Sequence, residues 1–320
     1  MNQSTRTTAT SEIITAALDL KPVEPLHHDL AFVARTQQCP WPKAYGGDVV
    51  AQATVAGIRS VDTERVLHSM HSYFLRPVDV DAEVRYEVEV LRDGRGYSTR
   101  QIRGYQSGKV VFVAIASFHS GESGREFAAP LPVGVPDPEL VPSSAAYLEP
   151  TVPGTPEAGS MTVASKSYWS EGRGFDMRHV PGPVYFEVEG ELTPMQAVWV
   201  RPFDELRPVD GLTPAMRDQA ALAFVCDYTV LEPILRVLDL PWALPGLTTA
   251  SLDHAMWFHR AGSMDDWLLY AQEAVTAHGG RGLGLGRFFT RDGRHLATVA
   301  QEGLIRAPSP IPPRAVRGHL

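Results

Sequence analysis

The stretch that most limits the possible folds is DVVAQATVAGI at positions 48–58, which is small and apolar on nearly every side. A surface helix carries one apolar stripe, whereas this composition predicts a helix that is buried on most of its faces. A helix buried in this way needs a large sheet to wrap it. Strand-like segments follow directly along the chain.

Four segments after this helix have strand character, and Gly-containing turns at 93–96 and 107–108 separate the last three. Short turns between successive strands predict an antiparallel meander. The predicted strands are 68–75, 83–90, 97–105 and 110–118. Within 83–90 the residues alternate strictly, so apolar side chains should face the core and charged ones water. The predicted core set is Val84, Tyr86, Val88 and Val90, and the predicted solvent set is Arg85, Glu87 and Glu89.

The second half of the chain repeats this order of elements. Thr213 is a plausible cap, with Pro214 at the first position, for a second small and apolar helix at 215–227. Phe74 and Phe258 are 184 positions apart, and the same spacing relates two tyrosines further on, which indicates a tandem duplication. The predicted strands of this half are 183–189, 195–201, 251–260, 267–275, 283–290 and 295–305.

These patterns divide the chain into five parts. We expect a disordered tail at 1–11, sheet-and-helix units at 12–122 and 165–306, a proline-rich linker at 123–164 and a second tail at 307–320. Ser11 could cap a short helix that runs to residue 20.

The composition excludes several classes of protein. A net charge of −8 is unlike that of a protein that coats nucleic acid, and 44% apolar residues predict a packed core. Two cysteines, Cys39 and Cys226, form neither a disulfide framework nor a zinc motif. We therefore expect a cytoplasmic protein in a reducing compartment, and no apolar run is long enough for a membrane span.

Several motifs, in order, resemble those of the type II acyl-CoA thioesterases. They are GGDVVAQA (46–53), LHSMHSYFLRP (67–77), LRDG (91–94), LDHAMWFHR (252–260), DWLLY (266–270) and QEGLIR (301–306). The resemblance implies an α+β double hotdog, in which two tandem units of an antiparallel sheet wrapped around a helix form one continuous sheet. It also implies hydrolysis of acyl-CoA to a carboxylic acid and CoA, without a metal or a redox cofactor.

The residues also allow other interpretations. Ser251, Asp253 and His254 suggest a nucleophilic triad, but on a regular strand Ser251 and Asp253 share one face and His254 points to the other. No nucleophile elbow G-x-S-x-G occurs in the chain. The His68/His71 and His254/His259 pairs have odd spacings, which places the members of each pair on opposite faces of a strand and disfavours a metal site.

No sequence motif identifies the basic residues that would bind the phosphates of CoA. The glycine-rich run at 279–287 is not a phosphate loop, and we interpret it as a turn and a strand in close contact with another backbone. Six arginines are candidates, although for any single one of them a solvated strand face is the favoured interpretation. They are Arg92, Arg95, Arg100, Arg103, Arg281 and Arg287.

The resemblance, and not the spacing, selects the site. It implies that Asp227, Ser251 and Gln301 together orient a water that attacks the thioester carbonyl. Many relatives have threonine where this chain has Ser251, so the hydroxyl is kept and the methyl is lost. The acyl chain should lie beside the buried helices, with Met256, Trp257 and Phe258 as candidates for lining residues or for core.

Two rival functions remain open at this stage. A non-catalytic acyl-CoA-binding protein would keep the fold and lose turnover, and an enoyl-CoA hydratase would need an Asp/His pair on one loop. The expected partner is the acyl-CoA substrate, and a homodimer or homotetramer is expected from the family and from exposed sheet edges.

Overall fold

The computed structural model describes residues 9–80, 82–148 and 161–308. Residues 1–8 of the predicted N-terminal tail, 149–160 of the predicted linker and 309–320 of the C-terminal tail lie outside the described residues. Within the described ranges, no helix is both long enough and apolar enough to span a membrane.

The two halves contain the same succession of elements, a buried helix followed by a meander. The first half consists of α1 (Thr10–Leu18), β1 (Lys21–Val23), β2 (Leu30–Ala34), α2 (Gly46–Ile58), β3 (Val66–Phe74), β4 (Val84–Asp93), β5 (Tyr97–Gln106) and β6 (Lys109–His119). The connection and second half consist of α3 (Ser144–Leu148), α4 (Val163–Ser167), β7 (Phe175–Val180), β8 (Met195–Pro202), α5 (Pro214–Val225), α6 (Glu232–Val237), β9 (Thr248–Ser251), β10 (Asp253–Phe258), β11 (Leu268–His278), β12 (Arg281–Thr290) and β13 (His295–Arg306).

All of these strands belong to one antiparallel sheet. Its order is β1-β2-β4-β5-β6-β3-β10-β13-β12-β11-β8-β7, and β9 also pairs with β13. Strands β3 and β10 join the two halves, and His71 lies directly opposite Ala255, its counterpart 184 positions later. The halves are therefore related by an approximate twofold axis through this pair, which agrees with the predicted duplication and continuous sheet.

The two buried helices pack against each other inside the curved sheet. Val50, Ala51 and Ala53 of α2 have no exposed surface, as is true of Ala220 and Ala223 of α5. The helices are antiparallel because the start of α2 meets the end of α5. At that contact a Cβ on Gly47 would lie 2.1 Å from the carbonyl oxygen of Phe224, so the close approach requires glycine.

Two predictions about individual side chains are wrong. Glu87 is fully buried and Val90 is 37% exposed, the reverse of the alternation expected for β4. The Glu87 carboxylate accepts hydrogen bonds from the backbone N–H groups of residues 26–28 and pairs with Arg85, so its burial is compensated. Ser11 does not cap α1, since the helix begins at Thr10 and the Ser11 hydroxyl donates to Asp204.

Predicted elements of the second half need correction as well. Residues 183–189 form no strand, and the edge strand is instead β7, which ends where Pro181 removes a backbone donor. The described part of segment 123–164 includes short helical turns and packs on the second half. The indole of Trp199 donates to the carbonyl of Pro136, and the Ser144 hydroxyl donates to that of Met177.

Candidate active site

The three residues that the resemblance selected lie in contact. The Ser251 hydroxyl donates to Oδ1 of Asp227 at 3.1 Å. Nε2 of Gln301 donates to the same oxygen at 2.7 Å and to Oγ of Ser251 at 2.9 Å. Each pair is therefore hydrogen-bonded, although the residues are 24 to 74 positions apart in sequence. Since Oδ1 receives both donors, Oδ2 of Asp227 remains available to a water or substrate.

Asp227 lies in a short 3₁₀ turn, Cys226–Tyr228, that follows α5 directly. The end of its own helix is unfavourable for a carboxylate, but the start of α2 compensates for it. A Cβ on Gly46 would lie only 2.6 Å from Oδ2 of Asp227, so the carboxylate faces the N-terminal end of α2. The positive end of that helix dipole stabilises negative charge there. The duplication thus produces a site in which one half supplies the acid and the other supplies the dipole.

Ser251 is the last residue of β9, and the predicted single strand 251–260 is interrupted at Leu252. Ser251 pairs with Gly303, whereas Ala255 pairs with Ala300, so β9 and β10 contain one more residue than β13 across this interval. Such a bulge shifts the alternation by one residue. The expectation that Ser251 and His254 point to opposite faces is therefore wrong, because both side chains contact Gln301.

A hydrogen bond from His254 fixes the orientation of the Gln301 amide. Both side chains are buried, with exposed fractions of 1% and 0%. Nδ1 of His254 lies 2.9 Å from Oε1 of Gln301. Burial lowers the pKa of His254, and the bond to Gln301 only partly offsets this, so the imidazole is neutral and can donate from Nδ1. With Oε1 occupied as an acceptor, Nε2 must point to Asp227 and Ser251.

This arrangement is not a serine triad. His254 contacts Gln301 and Cys226 (Nε2 to Sγ, 3.7 Å), and Ser251 donates directly to the carboxylate. Asp253 points the other way and accepts the backbone N–H of Glu302. The sequence analysis missed the role of His254 because no local pattern indicated the bulge that turns it inward.

A cavity of about 600 Å³ opens beside Asp227 and Ser251. The predicted lining residues are not part of it: Met256 and Phe258 belong to the core, and Trp257 lies on the outer face of the sheet against His71. The walls are instead formed by aromatic residues from both halves. These are Trp41, Tyr45, Phe74, Tyr168, Trp169, Tyr228 and Trp242.

None of the six candidate arginines for CoA phosphates lines this cavity. Arg100 is buried and donates to Asp93 and Ser60, and Arg281 pairs with Glu302. The cationic residues that do line the cavity are Lys43 and Arg76. The glycine-rich run forms β12 and its preceding turn, and a Cβ on Gly284 would approach a backbone oxygen to 2.3 Å, which confirms the predicted close contact.

Asp48, in the first turn of α2, is a fully buried carboxyl group near Asp227. One of its oxygens accepts the backbone N–H of Gln37, and the other has no hydrogen-bond partner. Burial raises the pKa of Asp48 to about 8, and the negative charge of Asp227 adds to the shift. Asp48 is therefore largely protonated at neutral pH.

The chain is similar to known proteins along most of its length. The family model described as "Acyl-CoA thioesterase" matches residues 173–304, and that of the "Acyl-CoA thioesterase N-terminal domain" matches residues 35–119. Acyl-CoA thioesterase 2 of Haemophilus influenzae is 32% identical over 92% of this chain and 99% of its own length. The chain belongs to the type II acyl-CoA thioesterase family. Human acyl-coenzyme A thioesterase 8 is 31% identical to this thioesterase over 92% of the chain and 89% of its own length.

Solved structures resemble this thioesterase over nearly the whole chain. The acyl-CoA thioesterase II TesB2 of Mycobacterium marinum is 30% identical, with a TM-score of 0.69 and coverage of 92% of this chain and 99% of that one. A hot dog fold protein of Alicyclobacillus acidocaldarius, 19% identical with a TM-score of 0.67, shares the fold. Its coverage is 92% of this chain and 98% of its own. The predicted double hotdog and thioester hydrolase activity are thereby confirmed.

Proposed function

We propose that this protein hydrolyses acyl-CoA by direct attack of a water molecule oriented by Asp227, Ser251 and Gln301. The observation that carries the proposal is the closed set of hydrogen bonds among these side chains at the wall of the cavity. Both donors converge on Oδ1 of Asp227, so Oδ2 is the free basic oxygen. The half-buried carboxylate is both accessible and held in place.

The roles follow from the donors and acceptors. Oδ2 of Asp227 accepts a proton from the attacking water, whose oxygen forms the new bond to the thioester carbon. The first-turn N–H groups of α2 lack helical partners and stabilise the developing oxyanion. When the carbon–sulfur bond breaks, Asp227 returns the proton to the CoA thiolate. Ser251 and Gln301 hold the carboxylate and the water in line, and no acyl-enzyme forms.

Release of free thiol from a panel of acyl-CoAs tests the proposal. Asp227→Asn keeps the shape and removes the base, so we expect turnover to fall on the order of 10²–10⁴-fold. Gln301→Ala and Ser251→Ala should each lower turnover while leaving the fold intact. The matched control is Asp253→Asn. The Asp253 carboxylate is nearby but points away from the site, and asparagine keeps an oxygen that can accept the backbone N–H of Glu302. Full activity in both Asp227→Asn and Gln301→Ala would refute the site.

The same panel separates the rival functions. A binding protein without turnover would bind acyl-CoA and release no thiol, and a hydratase would add water to an enoyl-CoA and leave its thioester intact. A hydratase would also need an aspartate and a histidine that act together. Here the imidazole of His254 reaches Gln301, and the carboxylate of Asp227 receives Gln301 and Ser251.

We also propose that the protein acts in the cytoplasm as a homodimer or homotetramer. Both cysteines are free, as is typical of a reducing compartment, which supports the first part. Exposed apolar side chains on the outer face of the central strands, such as Tyr73 (58%) and Ile115 (47%), support the second. Light scattering on the purified protein measures its mass. A monomeric mass at micromolar concentration would refute the proposed homodimer or homotetramer.

A further inference from the structure

Among the described residues that line the catalytic cavity, one is acidic and two are basic. Asp227 lies at the chemical end of the cavity, and Lys43 and Arg76 are the cations among the described lining residues. All other described lining residues are neutral. The protein carries a net charge of −8, so an anionic ligand needs local cations of this kind.

Lys43 precedes α2 and is held at the cavity by its own hydrogen bond. Its ammonium group donates to the backbone carbonyl of Thr249 at 2.8 Å, which spans from the first half to β9. A lysine has three donors, so two remain for a ligand. Its backbone forms a bridge with that of Asp79, but no carboxylate within the described residues lies within 4.0 Å of its nitrogen.

Arg76 follows β3 and is exposed at the solvent side of the same cavity. One of its guanidinium nitrogens donates to the carbonyl of Val110, and its other donors have no acceptor among the described residues, so they can bind a ligand. Among the described residues no carboxylate comes within 4.0 Å of it. By contrast Arg281 and Arg287 on the sheet pair with Glu302 at 3.2 Å and Glu273 at 4.0 Å. Within the described residues the two cavity cations therefore lack an acidic partner, unlike Arg281 and Arg287.

We propose that Lys43 and Arg76 bind phosphate groups of coenzyme A while its thioester lies at Asp227. This inference rests on the proposed function and adds the ligand contacts of the same cavity. The pantetheine arm of CoA separates the thioester from the diphosphate, and both cations line the same cavity as Asp227, so the two ends of one CoA molecule can meet the base and the cations. Phosphate oxygens accept charge-assisted hydrogen bonds from both groups.

The test compares a thioester with phosphates and one without. The probes are the acyl-CoA that the wild type hydrolyses fastest and the acyl-pantetheine with the same acyl group. Lys43→Gln and Arg76→Gln should each raise KM for acyl-CoA on the order of tenfold, with kcat unchanged. The kinetics with acyl-pantetheine should not change. In the wild type, KM for acyl-CoA should rise with ionic strength, and this dependence should weaken in the double variant.

The matched control is Arg287→Gln, which removes an arginine that pairs with Glu273 and does not line the cavity, and it should leave KM unchanged. Calorimetric titration with free CoA provides a readout without turnover, and the double variant should bind about a hundredfold more weakly than the wild type. If no thioester is hydrolysed, the proposed function itself fails. If hydrolysis is normal and both variants resemble the control, or if acyl-pantetheine suffers equally, the phosphate contacts are refuted.

Discussion

Replacing Gly46 by alanine is a direct probe of how the start of α2 positions Asp227. The added Cβ would lie 2.6 Å from Oδ2 of Asp227 and 3.3 Å from Cε1 of Phe74. Ordinary contacts at a Cβ begin near 3.4 Å, so the carboxylate must move by about 0.8 Å. A shift of this size takes Oδ1 to the limit of its 2.7 Å hydrogen bond from Gln301.

Misplacement on the order of 1 Å costs about 10²-fold in rate, equivalent to about 2.7 kcal/mol. We therefore expect Gly46→Ala to lower kcat about a hundredfold, whereas stability changes by about 1 kcal/mol or less because a side chain can yield. The assay is thiol release together with urea unfolding. Gly96→Ala is the control, since its Cβ would meet only Glu122 at 3.9 Å. Wild-type kcat in a Gly46→Ala variant whose crystal structure shows a displaced carboxylate would refute this reasoning.

Three further predictions concern the surroundings of the site. His254→Ala leaves Oε1 of Gln301 buried without its donor, so kcat should fall at least tenfold. His254→Asn restores a donor and should recover part of this loss of kcat. An equal loss in both variants would refute a positioning role for His254. The pKa of Asp48 is raised from 3.8 to about 8, so between these pH values the folded state holds a proton that the unfolded state loses. The free energy of unfolding should therefore decrease by about 5 kcal/mol as pH rises from 4 to 8. Urea unfolding of Asp48→Asn at both pH values should show a smaller decrease, and identical pH dependence would contradict the burial of the acid. Ser251→Thr restricts the rotamer of the hydroxyl group, so kcat should stay equal or rise. A decrease in kcat of more than tenfold in the thiol assay would contradict this and show that the methyl group clashes in the site.

Much of the fold could be predicted from local patterns, because helix and strand periods depend on neighbouring residues. The apolar segment of α2 and the alternation of β4 located a buried helix and a meander. Glu87 was misjudged because its burial depends on backbone donors of residues 26–28, which the period of β4 does not indicate. Residues 183–189 were misjudged because apolar composition alone does not distinguish a packed loop from a strand.

The site was less accessible to prediction from the sequence. Spacing could not associate Asp227, Ser251 and Gln301, which meet only because three separate elements converge, so the family resemblance was needed. The one-residue bulge at Leu252 reverses the face of His254 and has no sequence signal of its own. The phosphate candidates were chosen from arginine-rich strands, whereas the cavity is lined by a lysine and an arginine on connecting segments.

A single-turnover rapid-quench experiment tests the direct attack of water most closely. Excess enzyme is mixed with acyl-CoA, and free thiol, free acid and the intact protein mass are followed in the same samples. We predict that thiol and acid appear with one time course, that no protein species gains the mass of the acyl group, and that Asp227→Asn slows both products equally. An acyl adduct on Asp227 or Ser251 that forms with the thiol and decays to the acid would contradict the mechanism.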